Sequence, residues 1–329
     1  MIDTLEHLTV SEFLRNRYPF VIPKYQRGYA WEKEEVADFC KDVQALIGSD
    51  ADTHHFFGSV LTSRLPVPRS ERGDYLEIID GQQRISTFFL TLSLILHALK
   101  KIVDSATAAG ETAIKEAAEA NYQLWTNSYV QYDEINNNRM VKCLRLTLSK
   151  VDAKFFEDLV YDRSAAIGGA VQPSSHQRLA IAKRLLWKNL FRDCIEGNSC
   201  TLAQRLDHVC KVKGAVLDKC RLIHVRSTSR KDGYSLFMVL NDRGRDISDA
   251  EKLRASTLEL LENHQVQQNH VEACWDSILQ KTPNIIEGFL KSFYASKVGT
   301  RAGRDLFRGY SDHFIPFEKA SDVSTADGL

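Results

Sequence analysis

No charge of either sign dominates this chain. Lysine plus arginine and aspartate plus glutamate both total 43 in 329 residues. No global field therefore draws it to nucleic acid or to a membrane surface, and any DNA contact must come from a local basic surface. Cysteine is present but unorganised: the seven residues form no Cys-x-x-Cys pair, are odd in number, and follow no signal peptide. That argues against a disulfide framework and leads to the expectation of a reduced cytoplasm. His208, Cys210, Cys220 and His224 lack the usual spacing of a zinc site, and His224 alternates inside a predicted strand. Long apolar runs are missing too. The longest, Phe88 to Ala98, is interrupted by Thr91, Ser93 and His97, is too short to span a bilayer, and predicts a buried core helix with no membrane partner. There is no internal repeat and no low-complexity tract.

What remains is an ordinary globular composition, 43% hydrophobic and 26% charged, in a chain long enough for one or two domains with a sizeable core. Within it the string Asp80-Gly81-Gln82-Gln83-Arg84 stands out. It lies between an apolar strand, Tyr75 to Ile79, and the helical apolar pattern that begins near Ile85. The first turn of a helix leaves backbone N–H groups unpaired at the positive end of the macrodipole, which favours phosphate. Arg84 adds a forked cation. Gly81 allows a positive φ and close approach of a ligand. The simpler reading is that Asp80 is only the N-cap of the helix.

A second unusual segment lies upstream. Ile22-Pro23-Lys24-Tyr25-Gln26-Arg27-Gly28-Tyr29-Ala30-Trp31 holds three aromatics, two cations and a glutamine with neither helical nor strand period. Pro23 suits a fixed loop at a strand start. Tyr25, Tyr29 and Trp31 offer flat faces for a base, and Arg27 a phosphate contact or a stack. Trp31, just before a helix, is read as core, which leaves Tyr25 and Arg27 as the functional candidates.

Around these motifs the spacing predicts a helix over 34–47, strands over 56–63 and 75–80 with an exposed loop between them, and a long helix ending near Val103. A turn at Asn136-Asn137-Asn138 and a strand over 140–148 follow. Helices are then expected over 152–161, 174–195 and 202–212, and a short strand over 221–226. Further on, Leu236, Phe237 and Leu240 make a helical face that stops at Asn241 to Gly244, and Ser248 with Glu251 forms a capping box opening the next helix. Asn241, Asp242, Arg243 and Arg245 thus sit in a tight turn, which reads equally well as a pair of well-made caps. Helices over 266–279, 284–295 and 303–314 complete the pattern, and 321–329 reads as a tail.

Four segments in order match one pattern: Ile22-Pro23-x-Tyr25-Gln26-Arg27-x-Tyr29-x-Trp31, Phe57-Gly58, Asp80-Gly81-Gln82-Gln83-Arg84-Ile85-Ser86-Thr87, and Phe237-x-x-x-Asn241-x-Arg243-Gly244 with Ile247-Ser248. This resembles the N-terminal domain family of GmrSD-type, modification-dependent restriction systems, which includes phosphorothioate-sensing restriction proteins. The resemblance runs from about Thr4 to about Phe314. It implies an α+β (α/β) chain: a small ParB/sulfiredoxin-like mixed-sheet, nucleotide-binding domain over 1–104, a mainly helical region over 105–318 contributing the Asn241-x-Arg243-Gly244 turn, and a linker or tail over 319–329.

The resemblance also implies binding and hydrolysis of a nucleoside triphosphate (GTP, UTP, CTP or ATP), coupled to recognition of modified DNA and control of an HNH nuclease. Asp80, Gly81, Gln82, Gln83 and Arg84 inherit the nucleotide site. Tyr25, Gln26 and Arg27 inherit a share in nucleotide or modified-DNA sensing, and Asn241 and Arg243 a place near the same cleft. The residue types suit phosphoryl transfer, which is chiefly positioning and charge stabilisation. Arg84 would bind phosphate oxygens, Asp80 would hold Mg²⁺, and Gln82 or Gln83 would orient the attacking water.

An HNH nuclease needs clustered histidines with metal geometry, and His264, His270 and His313 lack that arrangement. The nuclease is therefore expected on a partner, or this chain is the N-terminal part of a longer protein. Two other functions compete. One is a non-catalytic module that grips modified DNA in the same pocket, drawing on Lys24, Arg27, Arg64 and Arg69 among local cations, although such arginines are commonly a solvated face. The other, ranked lowest for want of a carboxylate cluster, is DNA cleavage by this domain itself. The sequence leaves the oligomeric state open, a homo-oligomer included.

Overall fold

The computed structural model describes residues 2–16, 18–23, 26–65, 74–136, 139–161, 174–229, 232–233, 236, 248–261, 264–281, 285–301 and 306–314. By contacts the chain forms two compact units, one of Met1–Pro23 and Gly28–Phe237, the other of Lys24–Arg27 and Met238–Leu329.

The first unit is mixed α/β. Its six-stranded sheet has the order β1-β8-β3-β4-β2-β7, from β1 (Ile2–Thr9), β2 (Phe20–Val21), β3 (His55–Leu65), β4 (Tyr75–Asp80), β7 (Leu146–Thr147) and β8 (Cys220–Ser227). β8 runs antiparallel to β1 and parallel to β3, while β3 and β4 are antiparallel and β2 pairs in parallel with both β4 and β7. The sheet thus takes a strand from far along the chain, and the boundary drawn from sequence at residue 104 falls inside helix α3 (Gln82–Ala109).

Alternation in β4 is absent because both its faces are covered: Leu76, Ile78 and Ile79 are fully buried. α3 is apolar on most of its circumference and buries residues from Ile85 to Ala106, as a central helix must. Among the described residues it is the one helix long and apolar enough, by length and composition, to cross a membrane, and 78% of its most apolar window is buried inside the protein. It runs past the end expected near Val103 because nothing between Ser105 and Ala109 breaks a helix. Gly110 ends it in the left-handed region at φ 73.

The other helices of this unit whose bounds lie among the described residues are α1 (Val10–Leu14), α2 (Lys33–Leu46), α4 (Thr112–Trp125), α5 (Lys150–Val160), α6 (Ser174–Leu190), α7 (Arg192–Ile195) and α8 (Leu202–Gly214). Single π-type turns, Thr126–Val130 and Ala215–Lys219, lead into β5 (Gln131–Asn136) and β8. The strand expected over 140–148 divides in two. β6 (Arg139–Leu144) forms a separate antiparallel hairpin with β5, and β7 joins the main sheet. Arg145 makes the switch: its guanidinium donates to the carbonyls of Gln131 and Asn16, both at 3.1 Å, and its own carbonyl accepts from Phe20 N–H at 2.6 Å.

In the second unit the described helices are α9 (Asp249–Leu260), α10 (Gln265–Lys281), α11 (Ile286–Val298) and α12 (Leu306–His313). Leu253, Leu258, Trp275, Leu290, Leu306 and Tyr310 supply its buried side chains. Trp275 Nε1 donates to Thr257 Oγ1 at 2.8 Å, which satisfies the indole inside an apolar setting.

Candidate functional site

β4 delivers Asp80 to its carboxyl end, and Gly81 follows with φ 90 and ψ 6 as the N-cap of α3, the positive φ that the sequence predicts. Asp80 therefore does not occupy the capping position. The first helical hydrogen bond is Ile85 N–H to the Gly81 carbonyl at 3.1 Å. Among the described residues, no acceptor meets the backbone N–H groups of Gln82, Gln83 and Arg84. Three donors at the positive end of a 28-residue helix are thus unpaired.

Arg84 is held over this turn by two neighbours. Its Nη1 donates to the Phe57 carbonyl at 2.7 Å, and its Nη2 lies 3.6 Å from Asp80 Oδ2 one helical turn back. The two side chains keep 24% and 27% of their surface exposed, so the pair remains open to a ligand and to water. Phe57 can offer its carbonyl because β3 is irregular against β8 between Phe56 and Ser59, where Gly58 takes φ 91. The Phe57-Gly58 motif thus has a local reason: it turns a strand carbonyl out of the ladder and toward the arginine.

Gln82 is 8% exposed, and its carbonyl accepts from Ser86 Oγ at 2.8 Å. Gln83, the other candidate for orienting water, makes two side-chain hydrogen bonds. Its Oε1 accepts from Ala30 N–H at 2.8 Å and its Nε2 donates to the Gly28 carbonyl at 3.3 Å. Both ends of the amide are therefore bonded to the upstream motif. Thr87 Oγ1 donates to the Gln83 carbonyl at 2.8 Å, so its single proton is spent and Tyr29 O–H must be the donor in their 2.8 Å contact.

Tyr29 is 4% exposed, and burial pushes its phenol well above the usual range. It offers no flat face to a base. Trp31 packs against the core beside Phe39, with ring centroids 6.3 Å apart, in keeping with its reading as a core residue. Tyr29 N–H is taken by Asp152 Oδ2 at 3.0 Å. Thr87 closes the motif quoted from sequence, but Asp152 and Ser175 carry no sequence signal: Asp152 is 123 residues from its partner Tyr29, and no local pattern marks it.

Gln26 and Arg27 belong to the second unit, where the Gln26 carbonyl accepts from Arg254 Nη1 at 3.3 Å. Arg64 is ion-paired with Asp74 and lies 5.0 Å from the Tyr18 ring centroid, so its charge is already matched. Lys24, Tyr25, Arg69, Asn241 and Arg243 lie outside the described residues.

No group of three or more His, Cys, Asp or Glu among the described residues could hold a metal ion. Mg²⁺ in phosphoryl-transfer sites commonly takes one or two carboxylates and completes its shell with water and phosphate oxygens. Asp80, partly exposed beside three unpaired backbone N–H groups, fits that lesser demand. Of the zinc-like set considered from sequence, His208 Nε2 contacts the Leu190 carbonyl at 2.7 Å, and His224 is fully buried with Nε2 2.8 Å from Thr62 Oγ1.

None of the curated proteins matches the chain. Residues 10–258 match the family described as the GmrSD restriction endonuclease, N-terminal domain. That span holds β4, Gly81, α3, Gly58 and the upstream motif, and it exceeds half of the chain. The chain belongs to the N-terminal domain family of GmrSD restriction endonucleases, and its role lies in restriction.

Proposed function

We propose that this chain binds and hydrolyses a nucleoside triphosphate at the N-terminus of α3 and uses that reaction to couple recognition of modified DNA to an HNH nuclease domain or subunit. The observation that carries the reading is the row of three unpaired N–H groups at Gln82, Gln83 and Arg84, flanked by the Asp80 carboxylate and the Arg84 guanidinium. Such a row favours phosphate over water because the donors are fixed in advance and the helix end is positive.

Each group has one task. Arg84 retains donors beyond those used on Phe57 and Asp80, and turns them to phosphate oxygens. Asp80 holds Mg²⁺, which neutralises phosphate charge when bound. Gln82, the glutamine whose side chain has no hydrogen bond to another described residue, orients water, while Gln83 keeps the turn in place. Gln26 and Arg27, with Tyr25, Asn241 and Arg243, are assigned to nucleotide or modified-DNA sensing on family resemblance. We place the protein in the cytoplasm, where both nucleotide and foreign DNA are met.

Purified protein with Mg²⁺ is expected to release phosphate from at least one of ATP, GTP, CTP and UTP. Asp80→Ala and Arg84→Ala are each expected to abolish it, and unchanged hydrolysis in both overturns the site. Steeply salt-dependent binding of modified over plain DNA without turnover is the outcome that favours a non-catalytic DNA module instead.

A further inference from the structure

We propose that the buried carboxylate of Asp152 is a positioning residue: it fixes the Gly28–Ala30 backbone in the orientation that Gln83 grips, and so braces the first turn of α3. Its consequence for turnover rests on the nucleotide reading above; the brace itself does not.

Asp152 lies near the start of α5 and is 1% exposed. A carboxylate so deeply buried is costly unless its oxygens are satisfied, and an apolar residue of like volume would serve a core better. Here both oxygens are used. Oδ2 accepts from Tyr29 N–H at 3.0 Å and Oδ1 from Ser175 Oγ at 2.6 Å. His176 Nε2, which donates to the Val151 carbonyl at 2.9 Å, lies 3.5 Å from Oδ1, with its ring stacked on Phe155. Ser175 and His176 are in the first turn of α6, whose positive end also favours the charge.

The backbone opposite has been brought unusually close. A Cβ on Gly28 would sit 2.8 Å from Asp152 Oδ2 and from Ser175 Cβ, so a side chain there would drive the two apart. On its other side the same stretch meets α3. Gln83 takes the Gly28 carbonyl and the Ala30 N–H, and Thr87 takes the Tyr29 hydroxyl. Consecutive residues are thus clamped between α3 on one side and α5 with α6 on the other. The Gln83 amide can satisfy a carbonyl and an N–H at once only if Tyr29 is held at that pitch, and Asp152 is the group that holds Tyr29 by its backbone. Gln83 is also one of the three residues whose unpaired N–H groups would meet a phosphate in the proposed site, so the pitch of the clamp sets the pitch of those donors.

The test uses the full chain, with Asp152→Ala and Asp152→Asn read in two ways: amide hydrogen exchange over 28–31, and kcat and KM for the best of ATP, GTP, CTP and UTP with Mg²⁺. In Asp152→Ala, exchange over 28–31 is expected to rise at least about tenfold while α3 from 88 to 99 keeps its protection. Turnover is expected to fall about tenfold in kcat with KM nearly unchanged, because the donors remain but are misaligned. Asp152→Asn keeps an acceptor for Tyr29 N–H and a donor for Ser175, and is expected to restore most of both.

Unchanged exchange over 28–31 in Asp152→Ala overturns the brace. Raised exchange with unchanged kcat overturns the positioning role, as does a loss in KM alone or an Asn variant no better than Ala. If Asp152→Ala loses protection throughout, Ser175→Ala, which removes one bond from the same carboxylate, decides: raised exchange and lowered kcat support the proposal, and unchanged kcat overturns it. Wild-type protein with no turnover overturns the nucleotide reading and the kinetic part of this one, while the exchange measurement still decides the brace.

Discussion

The Arg84 guanidinium occupies the space into which a side chain at Gly58 would project. One residue is on the strand irregularity and the other on the first turn of α3, and each explains the other: the bare Cα admits the guanidinium, and the Phe57 carbonyl accepts a hydrogen bond from it.

Gly58→Ala is therefore expected to act twice. The backbone at φ 91 is one that L side chains rarely adopt, costing about 1–3 kcal/mol, and the new methyl group displaces Arg84. Denaturant unfolding is expected to show that loss together with reduced phosphate release. Wild-type stability and turnover in this variant would remove the link between bulge and arginine.

Arg84→Lys keeps the charge but loses the fork. One ammonium cannot hold the Phe57 carbonyl, face Asp80 and reach a phosphate together. Loss of one charge-assisted hydrogen bond predicts a fall in kcat/KM of about 10- to 100-fold. Steady-state phosphate release across the four nucleotides checks it, and a lysine variant equal to wild type refutes the bidentate role.

Gln83→Glu tests the other side of the turn. A carboxylate still accepts from Ala30 N–H but presents a second acceptor to the Gly28 carbonyl, where Nε2 now donates. The unmade hydrogen bond and the repulsion are expected to cost about 1–3 kcal/mol at neutral pH. A thermal melt reads the loss, and an unchanged melting temperature would mean that the contact contributes nothing to stability.

His224 makes stability depend on pH. It is fully buried, its Nδ1 has no hydrogen-bond partner among the described residues and lies 3.6 Å from Glu6 Oε2, and it sits edge-on to Phe13. Burial lowers its pKa to about 4 against an ordinary 6.5, with Glu6 opposing and Arg226 adding to the shift. The unfolded chain therefore binds this proton first. The contribution is complete above the unfolded value and is lost as pH falls from 6.5 towards 4, by roughly 3 kcal/mol in all. Urea midpoints at steps across that window should fall for wild type and fall less for His224→Gln; parallel slopes would remove His224 as the cause.

Much of the architecture was legible in residue order because local physics decided it. The apolar face of α2, the strand before Asp80, and the Gly81 turn into a helix each follow from spacing or backbone freedom within a few residues. The early elements β1, α1 and β2 are not legible in the sequence, because β1 is largely exposed and β2 spans only Phe20–Val21. The division of the strand at Arg145 was also hidden, since it depends on carbonyls of Gln131 and Asn16 that only folding brings near.

The sequence by itself determined that a strand, a left-handed glycine and a long helix would present unpaired N–H groups beside an aspartate and an arginine, since periodicity and glycine's missing Cβ act over a few residues. Ordered motifs likewise sufficed to suggest the restriction family. Tertiary structure alone decided how that turn is held: that Asp80 is not the cap, that Gln83 faces Gly28 and Ala30, that Arg84 leans on Phe57 across Gly58, and that Asp152 closes the clamp. Those partners are separated along the chain by 27 to 123 residues, and hydrogen bonds over such separations leave no period in a sequence.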